Sequence, residues 1–341
     1  MTSDRRALPT GAPTGTPACT LCTQTGFGLI DVRGDDAMSF LHGQLSSDVQ
    51  GLELGRAQYS SYNSPKGRML ANLIVLRWPV APGEDRFLLL LQDDLLAAIL
   101  RRLSMFVLRS KVAVRDAGGD WAIWGLAGPE ALPAARAAFG VAPRSFEALR
   151  IGEAALILAV PDGRLLGVCP RSEDPLLQAA LAGHATRADA DAWRRLDIEA
   201  GIPWIVAATS DLFVPQTANW ELLGGVNFQK GCYPGQEIVA RAQYLGRLKE
   251  RLFAFHAAGP APAPGTRLRS AAFGDQACGI VVSAVPDLAG GSAVLAVAQR
   301  VAVEAGDIRV TDDAQSPLTS RPLPYVVPAA DTPRGRETSD A

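Results

Sequence analysis

From Phe27 onward the chain alternates between short apolar runs and amphipathic stretches. Residues 28–32 read as a strand, and Gly34-Asp35-Asp36 as a turn whose carboxylates suit a helix start. Met38, Leu41 and Leu45 then recur at helical spacing. Residues 57–62 and 70–76 read as strands joined by Asn63-Ser64-Pro65-Lys66-Gly67, a strong turn signal, so they predict a hairpin. Residues 87–91 form another strand. Asp93 or Asp94 is expected to cap a helix whose Leu96, Ile99, Leu100, Leu103 and Phe106 hold one face. Residues 111–114 close the series as a strand. The order strand, helix, hairpin, strand, helix, strand predicts an α+β lobe with helices packed on an antiparallel sheet.

Residues 120–205 repeat the style without repeating the residues. Strands are expected at 121–126 and 154–159, and helices at 130–138, 175–182 and 189–198. The last of these helices ends at Gly201 with Pro203 just beyond. From Leu252 the pattern changes. Short strand-like runs at 252–255, 279–285, 293–298 and 308–310 lie between Gly and Pro turns, with no helix expected among them. That spacing predicts a small β-barrel or sandwich. Residues 1–25, rich in Thr, Pro, Gly and Ala, predict a mobile tail, and 328–341 a second one. The expected division is thus 1–25, a body over 26–246, a barrel over 247–327, and 328–341.

Composition narrows the class. The 341 residues exceed one ordinary domain, and 48% of them are hydrophobic, enough for a sizeable core. A net charge of −2 provides no whole-chain basic field for nucleic acid. Arg5 and Arg6 are not followed by an apolar stretch, and the longest apolar runs fall far short of a membrane span. The expectation is a cytoplasmic protein with no membrane partner. The cysteines are Cys19, Cys22, Cys169, Cys232 and Cys278. Their odd number and spacing suit neither a disulfide framework nor a zinc site, so no metal site is assigned. Cys19 and Cys22 do form a C-x-x-C beside the N-terminal tail.

The chemistry concentrates in Lys230-Gly231-Cys232-Tyr233-Pro234-Gly235-Gln236-Glu237. Two glycines allow an unusual backbone path. Pro234, Gln236 and Glu237 suit a helix start, with Ile238, Val239 and Ala242 as its apolar side. Cys232 is therefore expected in a loop before a helix N-terminus. There the helix dipole, Lys230 and Arg241 would favour a thiolate. Between residues 230 and 251 five basic residues face two acidic ones, a balance of +3. Such a thiol could be a nucleophile, a redox group or a soft metal ligand. A lone cysteine is also commonly a small buried hydrophobe. One cysteine cannot hold an iron–sulfur cluster alone, because a cluster takes about four ligands.

This segment resembles the signature of the YgfZ-type folate-binding family, K-G-C-aromatic-x-G-Q-E, at all eight positions. Further resemblance lies in residues 43–49, 65–68, 106–112, 198–203 and 215–226, within a stretch of roughly 26 to 325. The family is similar to the glycine-cleavage T-protein. The resemblance implies an α+β, two-lobed folate-binding body followed by a small C-terminal β-barrel. It implies binding of tetrahydrofolate or a derivative, and a monomer that supports iron–sulfur cluster assembly, insertion or repair through assembly machinery or client proteins. Cluster-dependent tRNA-modifying enzymes are among the beneficiaries it implies. The family's stacking aromatics map to Phe27, where Trp is frequent, and to Trp193, with ordinary core packing as the alternative for both. Arg195 and Glu199 could reach a pterin edge.

In the aminomethyltransferases a Gly-Gly-x-x-Asp-Asp element supplies a carboxylate. Here Ala71 and Asn72 stand in that region, which argues against glycine-cleavage activity and leaves Asn72 as a hydrogen-bonding candidate. Two other functions remain open: a one-carbon transferase or demethylase with Glu199 as a carboxylate, and a non-catalytic module presenting residues 230–251 to a protein or tRNA. The low net charge ranks direct tRNA binding last.

Overall fold

The computed structural model describes residues 18–78, 86–189, 191–244, 248–311 and 315–329. They fall into two compact units interleaved along the chain. One takes the described parts of 1–38, 51–58 and 74–193; the other takes 39–50, 59–73 and the described parts of 194–341. The contact units thus divide the chain differently from the contiguous boundaries expected above. Of the tails expected over 1–25 and 328–341, residues 1–17 and 330–341 lie outside the described residues.

The first unit is built on two sheets. Its strands are β1 (Thr20–Cys22), β2 (Phe27–Arg33), β3 (Ala57–Asn63), β4 (Met69–Arg77), β5 (Arg86–Gln92), β6 (Ala113–Asp116), β7 (Trp121–Ala127), β8 (Ala148–Arg150), β9 (Leu156–Ala159), β10 (Leu165–Pro170) and β11 (Thr186–Arg187). One sheet runs β3-β4-β5-β2-β6, with residues 59–73 of its hairpin counted to the second unit. The other runs β11-β1-β7-β10-β9-β8. The helices are α1 (Ala37–Gln44), α2 (Asp93–Met105), α3 (Ala131–Phe139), α4 (Asp174–Leu181) and α5 (Ala192–Glu199); α1 and α5 each contribute residues to both units.

Strand β5 explains why the first sheet forms. Phe87 to Leu91 are all fully buried, and each such side chain contributes about 1.5–3 kcal/mol of transfer free energy. Helix α2 buries Leu95, Leu96, Ile99 and Leu103; Phe106, expected on that face, is the exposed C-cap. The N-cap is Gln92, so Asp93 and Asp94 act from the first turn on the dipole instead of capping. The expected strand-helix-hairpin-strand-helix-strand order is present.

The expected N-terminal tail ends earlier than residue 25. β1 pairs antiparallel with β7 and parallel with β11, and Cys19, Leu21 and Cys22 are buried. Apolar side chains at 19, 21 and 22 give even this Thr/Pro-flanked segment enough surface to bury. Odd spacing along extended chain sends Cys19 and Cys22 to alternate faces, so the C-x-x-C is not a paired site. Cys19 instead packs in a core with Leu21, Trp124 and Leu126.

The second unit contains α6 (Gln236–Tyr244) and a six-stranded antiparallel half-barrel. Its strands are β12 (Glu250–Ala257), β13 (Arg267–Arg269), β14 (Gly279–Pro286), β15 (Ser292–Gln299), β16 (Arg309–Val310) and β17 (Leu318–Arg321), in the order β16-β13-β14-β15-β12-β17. Phe255, Leu268, Val281, Val294 and Ala296 form its core. One helix interrupts the expected all-strand pattern: α7 (Arg300–Ala305), closed by Gly306 at φ +71°. Val301 and Val303 disguise it as strand, whereas the left-handed glycine cap ends it as a helix. Among the described residues no helix is long and apolar enough to cross a membrane.

Candidate functional site: the Cys232 loop

The second unit brings together four of the sequence pieces singled out above: 43–49, 65–68, 221–226 and 230–237. Ser46 is their hinge. Fully buried, its Oγ donates to the Gly225 carbonyl (2.7 Å) and accepts from the Ser61 amide (2.7 Å) and Ser61 hydroxyl (2.9 Å). The Ser46 carbonyl accepts from the Asn227 amide at 2.9 Å. Asn227 Oδ1 in turn accepts from the amides of Gln229 (2.8 Å) and Lys230 (3.1 Å), turning the chain into the loop.

Lys230 points inward. Its Nζ donates to the carbonyls of Leu45 (2.7 Å) and His42, at the C-terminal end of α1, and lies 5.0 Å from the Tyr233 ring centroid. A cation there suits the negative end of a helix and satisfies carbonyls left over by the ending ladder. Burial pushes the Lys230 ammonium down to about 8, against the support of Asp48 and Cys232. Burial also pushes the Tyr233 hydroxyl up to about 12.

The loop then closes on itself. Gln236 Nε2 donates to the Lys230 carbonyl (3.1 Å), and the Gln236 amide to the Tyr233 carbonyl (3.2 Å). Gly235, at φ +76°, lies against the hairpin turn: a Cβ there would stand 2.5 Å from Gly67 Cα and the Ser64 carbonyl. That turn is pinned by the Ser64 hydroxyl donating to Asp211 Oδ1 at 2.7 Å. Helix α6 buries Val239, whose carbonyl accepts from Gln216 Nε2 at 2.7 Å.

Cys232 is left exposed in this clamped loop, four residues before the first residue of α6, as expected from the sequence. The other four cysteines are buried, and burial raises Cys19 and Cys278 and pushes Cys169 up to about 12. Gly231, Glu237 and Arg241 are exposed and Pro234 is half-buried. The expected basic surface over 230–251 is thinner than its charge count. Lys230 is buried, and Arg251, 1% exposed, is paired with Glu221 (2.7 Å) and also donates to the Gln216 carbonyl. Arg241 and Lys249 remain exposed, while Arg247 lies outside the described residues.

The expected folate contacts are divided between the units, Phe27 and Trp193 in the first and Asn72, Arg195 and Glu199 in the second. Phe27 opens β2, half-buried, paired with Gln92. Trp193, 2% exposed, packs against the backbone of Gly125, where a Cβ would meet its ring at 2.1 Å, and carries the Arg164 guanidinium 4.3 Å from its centroid. This is the surrounding of a core residue rather than an open stacking face. The fully buried Asn72 donates through Nδ2 to the Pro203 carbonyl (2.9 Å) and accepts at Oδ1 from the Ile205 amide (2.8 Å). Its carboxamide therefore clamps the segment after α5 instead of standing free for a ligand. Arg195 is buried and Glu199 exposed on α5.

Sequence reasoning missed Ser46, His42, Asp48, Asp211 and the Arg251–Glu221 pair. The adjacent polar residues Ser46-Ser47-Asp48 after an apolar helix were the available signal for two of them.

Residues 16–158 match the family described as GCVT N-terminal domain. Among solved structures, the glycine cleavage system aminomethyltransferase T from Bartonella henselae aligns with a TM-score of 0.73 at 17% identity, covering 91% of this chain and 86% of that one. In fold, then, this is a protein of the aminomethyltransferase T class. The chain is 34% identical over 307 residues to the tRNA-modifying protein YgfZ of Edwardsiella ictaluri, covering 87% of this chain and 89% of that protein. It is 32% identical over 314 residues to the protein of the same name from Sodalis glossinidius, covering 90% and 93%. The chain belongs to the YgfZ family.

Proposed function

We propose that this chain is a folate-binding accessory protein for assembly, insertion or repair of iron–sulfur clusters, serving cluster-dependent enzymes that include tRNA-modifying ones, with Cys232 as its working group. The observation that carries the reading is the Cys232 loop: the single exposed thiol of the chain, held by an inward lysine and a glycine-to-glycine backbone contact. Family membership and the relatives' name, tRNA-modifying protein, support the link to tRNA modification. The GCVT domain and the aminomethyltransferase fold support tetrahydrofolate or a derivative as the ligand. Of the residues first considered for it, Asn72 is engaged by backbone groups and Trp193 is packed in the core. A lone thiol offers one ligand where a cluster takes about four, so a cluster would be cargo shared with a client or assembly protein.

Titration of the full chain with tetrahydrofolate, followed by tryptophan fluorescence, tests the ligand. Saturable quenching is expected; no change up to high micromolar ligand would remove folate from the reading.

A one-carbon transferase is less favoured, because Asn72 supplies no carboxylate and is engaged with the backbone. Direct tRNA binding through 230–251 is less favoured for the burial of Lys230 and Arg251.

A further inference from the structure

We propose that the turn closing α2 is a docking surface for an acidic partner protein. Met105, Phe106 and Leu108 enter an apolar recess of the partner, and Arg101 and Arg109 face its carboxylates. The surface lies in the first unit and depends neither on Cys232 nor on folate.

Helix α2 spends its apolar stripe on the first unit, burying Leu95, Leu96, Ile99 and Leu103. Three large apolar side chains then follow within four positions and are not buried: Met105 is 65% exposed, Phe106 42% and Leu108 85%. Among the described residues, the other exposed large hydrophobics are scattered singly along the chain. A concentrated apolar patch on a surface marks a contact site, whereas single exposed residues do not. Residues 101–111 also carry four basic side chains and no acidic one. Arg101 and Arg109 are exposed, and Arg101 stands one helical turn before Met105, on the same face. Lys111 is partly answered by Asp35, at 3.2 Å.

Backbone strain points to the same place. Leu108 stands at φ +45°, in the left-handed region that leucine disfavours. A glycine or asparagine would hold that conformation at less cost and expose no apolar side chain, so the fold itself does not call for leucine. The turn is nonetheless fixed in shape. The amides of Phe106 and Val107 donate to the carbonyls of Leu103 (3.0 Å) and Ser104 (3.3 Å), and the Ser110 amide donates to the Val107 carbonyl (2.8 Å). The Lys111 amide donates to Asp36 Oδ2 at 2.8 Å, tying the far end of the turn to the start of α1. Leu108 is thus presented on a braced loop, and a partner need not order that loop on binding.

The side chains select the partner. Met, aromatic residues and Arg are the types enriched where proteins meet. Single-stranded nucleic acid stacks its bases on aromatic faces, but the one aromatic here, Phe106, already carries the Arg102 guanidinium 6.0 Å from its ring centroid. The most exposed groups, Leu108 and Met105, are aliphatic and offer no stacking face. A lipid surface takes the whole apolar face of an amphipathic helix, and that of α2 is buried against its own unit. An apolar recess rimmed by Asp and Glu fits both the aliphatic tip and the unanswered arginines, and carboxylates there would steer the encounter.

The test selects a phage-displayed random peptide library on the immobilised full-length protein. Enrichment of peptides that set Asp or Glu beside large apolar residues is expected. One enriched peptide, synthesised with a fluorophore, is then titrated with the wild-type chain and two variants by anisotropy. Leu108→Gly and Arg109→Glu are each expected to weaken binding about tenfold or more, and added salt to weaken it in wild type. Leu108→Gly suits the left-handed backbone, so its thermal midpoint is expected at or above that of wild type and misfolding cannot account for the loss. No acidic-apolar enrichment, or unchanged affinity in either variant, overturns the proposal. So does tighter binding of phosphatidylserine vesicles or single-stranded RNA that Arg109→Glu abolishes, since the surface would then serve a lipid or a nucleic acid. The assay uses neither folate nor the Cys232 thiol, so its failure leaves the proposed function standing.

Discussion

Cys232 differs from the other cysteines by exposure, and that difference is chemical. Burial holds Cys19, Cys169 and Cys278 as thiols, and Cys22 is equally covered. Under native conditions a thiol reagent is expected to modify Cys232 at least about tenfold faster than the rest, since reactivity follows thiolate fraction and access. Peptide mapping after brief labelling checks this; comparable labelling of a second cysteine would contradict it. Lys230 carries a pH signature. Its folded value of about 8 lies below the ordinary 10.5, so between these the unfolded chain binds more protons. Stability from this group therefore rises as pH climbs through that window, and it is absent below about 8. Urea unfolding of wild type and Lys230→Met at several alkaline pH values is expected to show a slope in wild type that the variant lacks.

Elements explain why the loop keeps its shape. Gly235 combines a left-handed backbone with contact against Gly67, so Gly235→Ala is expected to cost more than about 2 kcal/mol, above the ~1–2 kcal/mol of the conformation alone. Denaturant midpoints check this, and a cost below about 0.5 kcal/mol would mean that the two turns are not in contact. The buried Arg251–Glu221 pair anchors the 216–221 segment, which reaches α6 through Gln216. Glu221→Ala strands a buried guanidinium and is expected to cost about 3–5 kcal/mol, whereas replacing both partners by apolar residues costs less.

Much at this scale was legible in advance. The hairpin around Asn63–Gly67, the run at β5 and the helix start after Cys232 follow from period and turn chemistry. β10 was not foreseen, because Gly167 interrupts its apolar run. The structure supplies the reason, since Trp124 packs where a Cβ would sit. α7 was hidden by β-branched residues, and β1 by its Thr- and Pro-rich surroundings.

For the whole molecule, sequence indicated the class but not the internal commitments of its polar residues. A motif identifies Lys230, Cys232 and Gly235, yet it cannot tell an outward lysine from one capping α1, or a surface arginine from Arg251 held by Glu221. Those assignments depend on partners about 30 to 190 positions away, which no local pattern encodes. The same limit applies to Asn72 and Trp193: their residue types suit a ligand, while their neighbours engage them in the protein.

The central claim is that the exposed thiol in this clamped loop is what the protein works with. The direct measurement is the activity of a cluster-dependent tRNA-modifying enzyme in cells lacking their own YgfZ-family protein and supplied with this chain or its Cys232→Ser variant at equal abundance. Restoration by the wild-type chain and none by the variant is the expected result; full restoration by Cys232→Ser would contradict it.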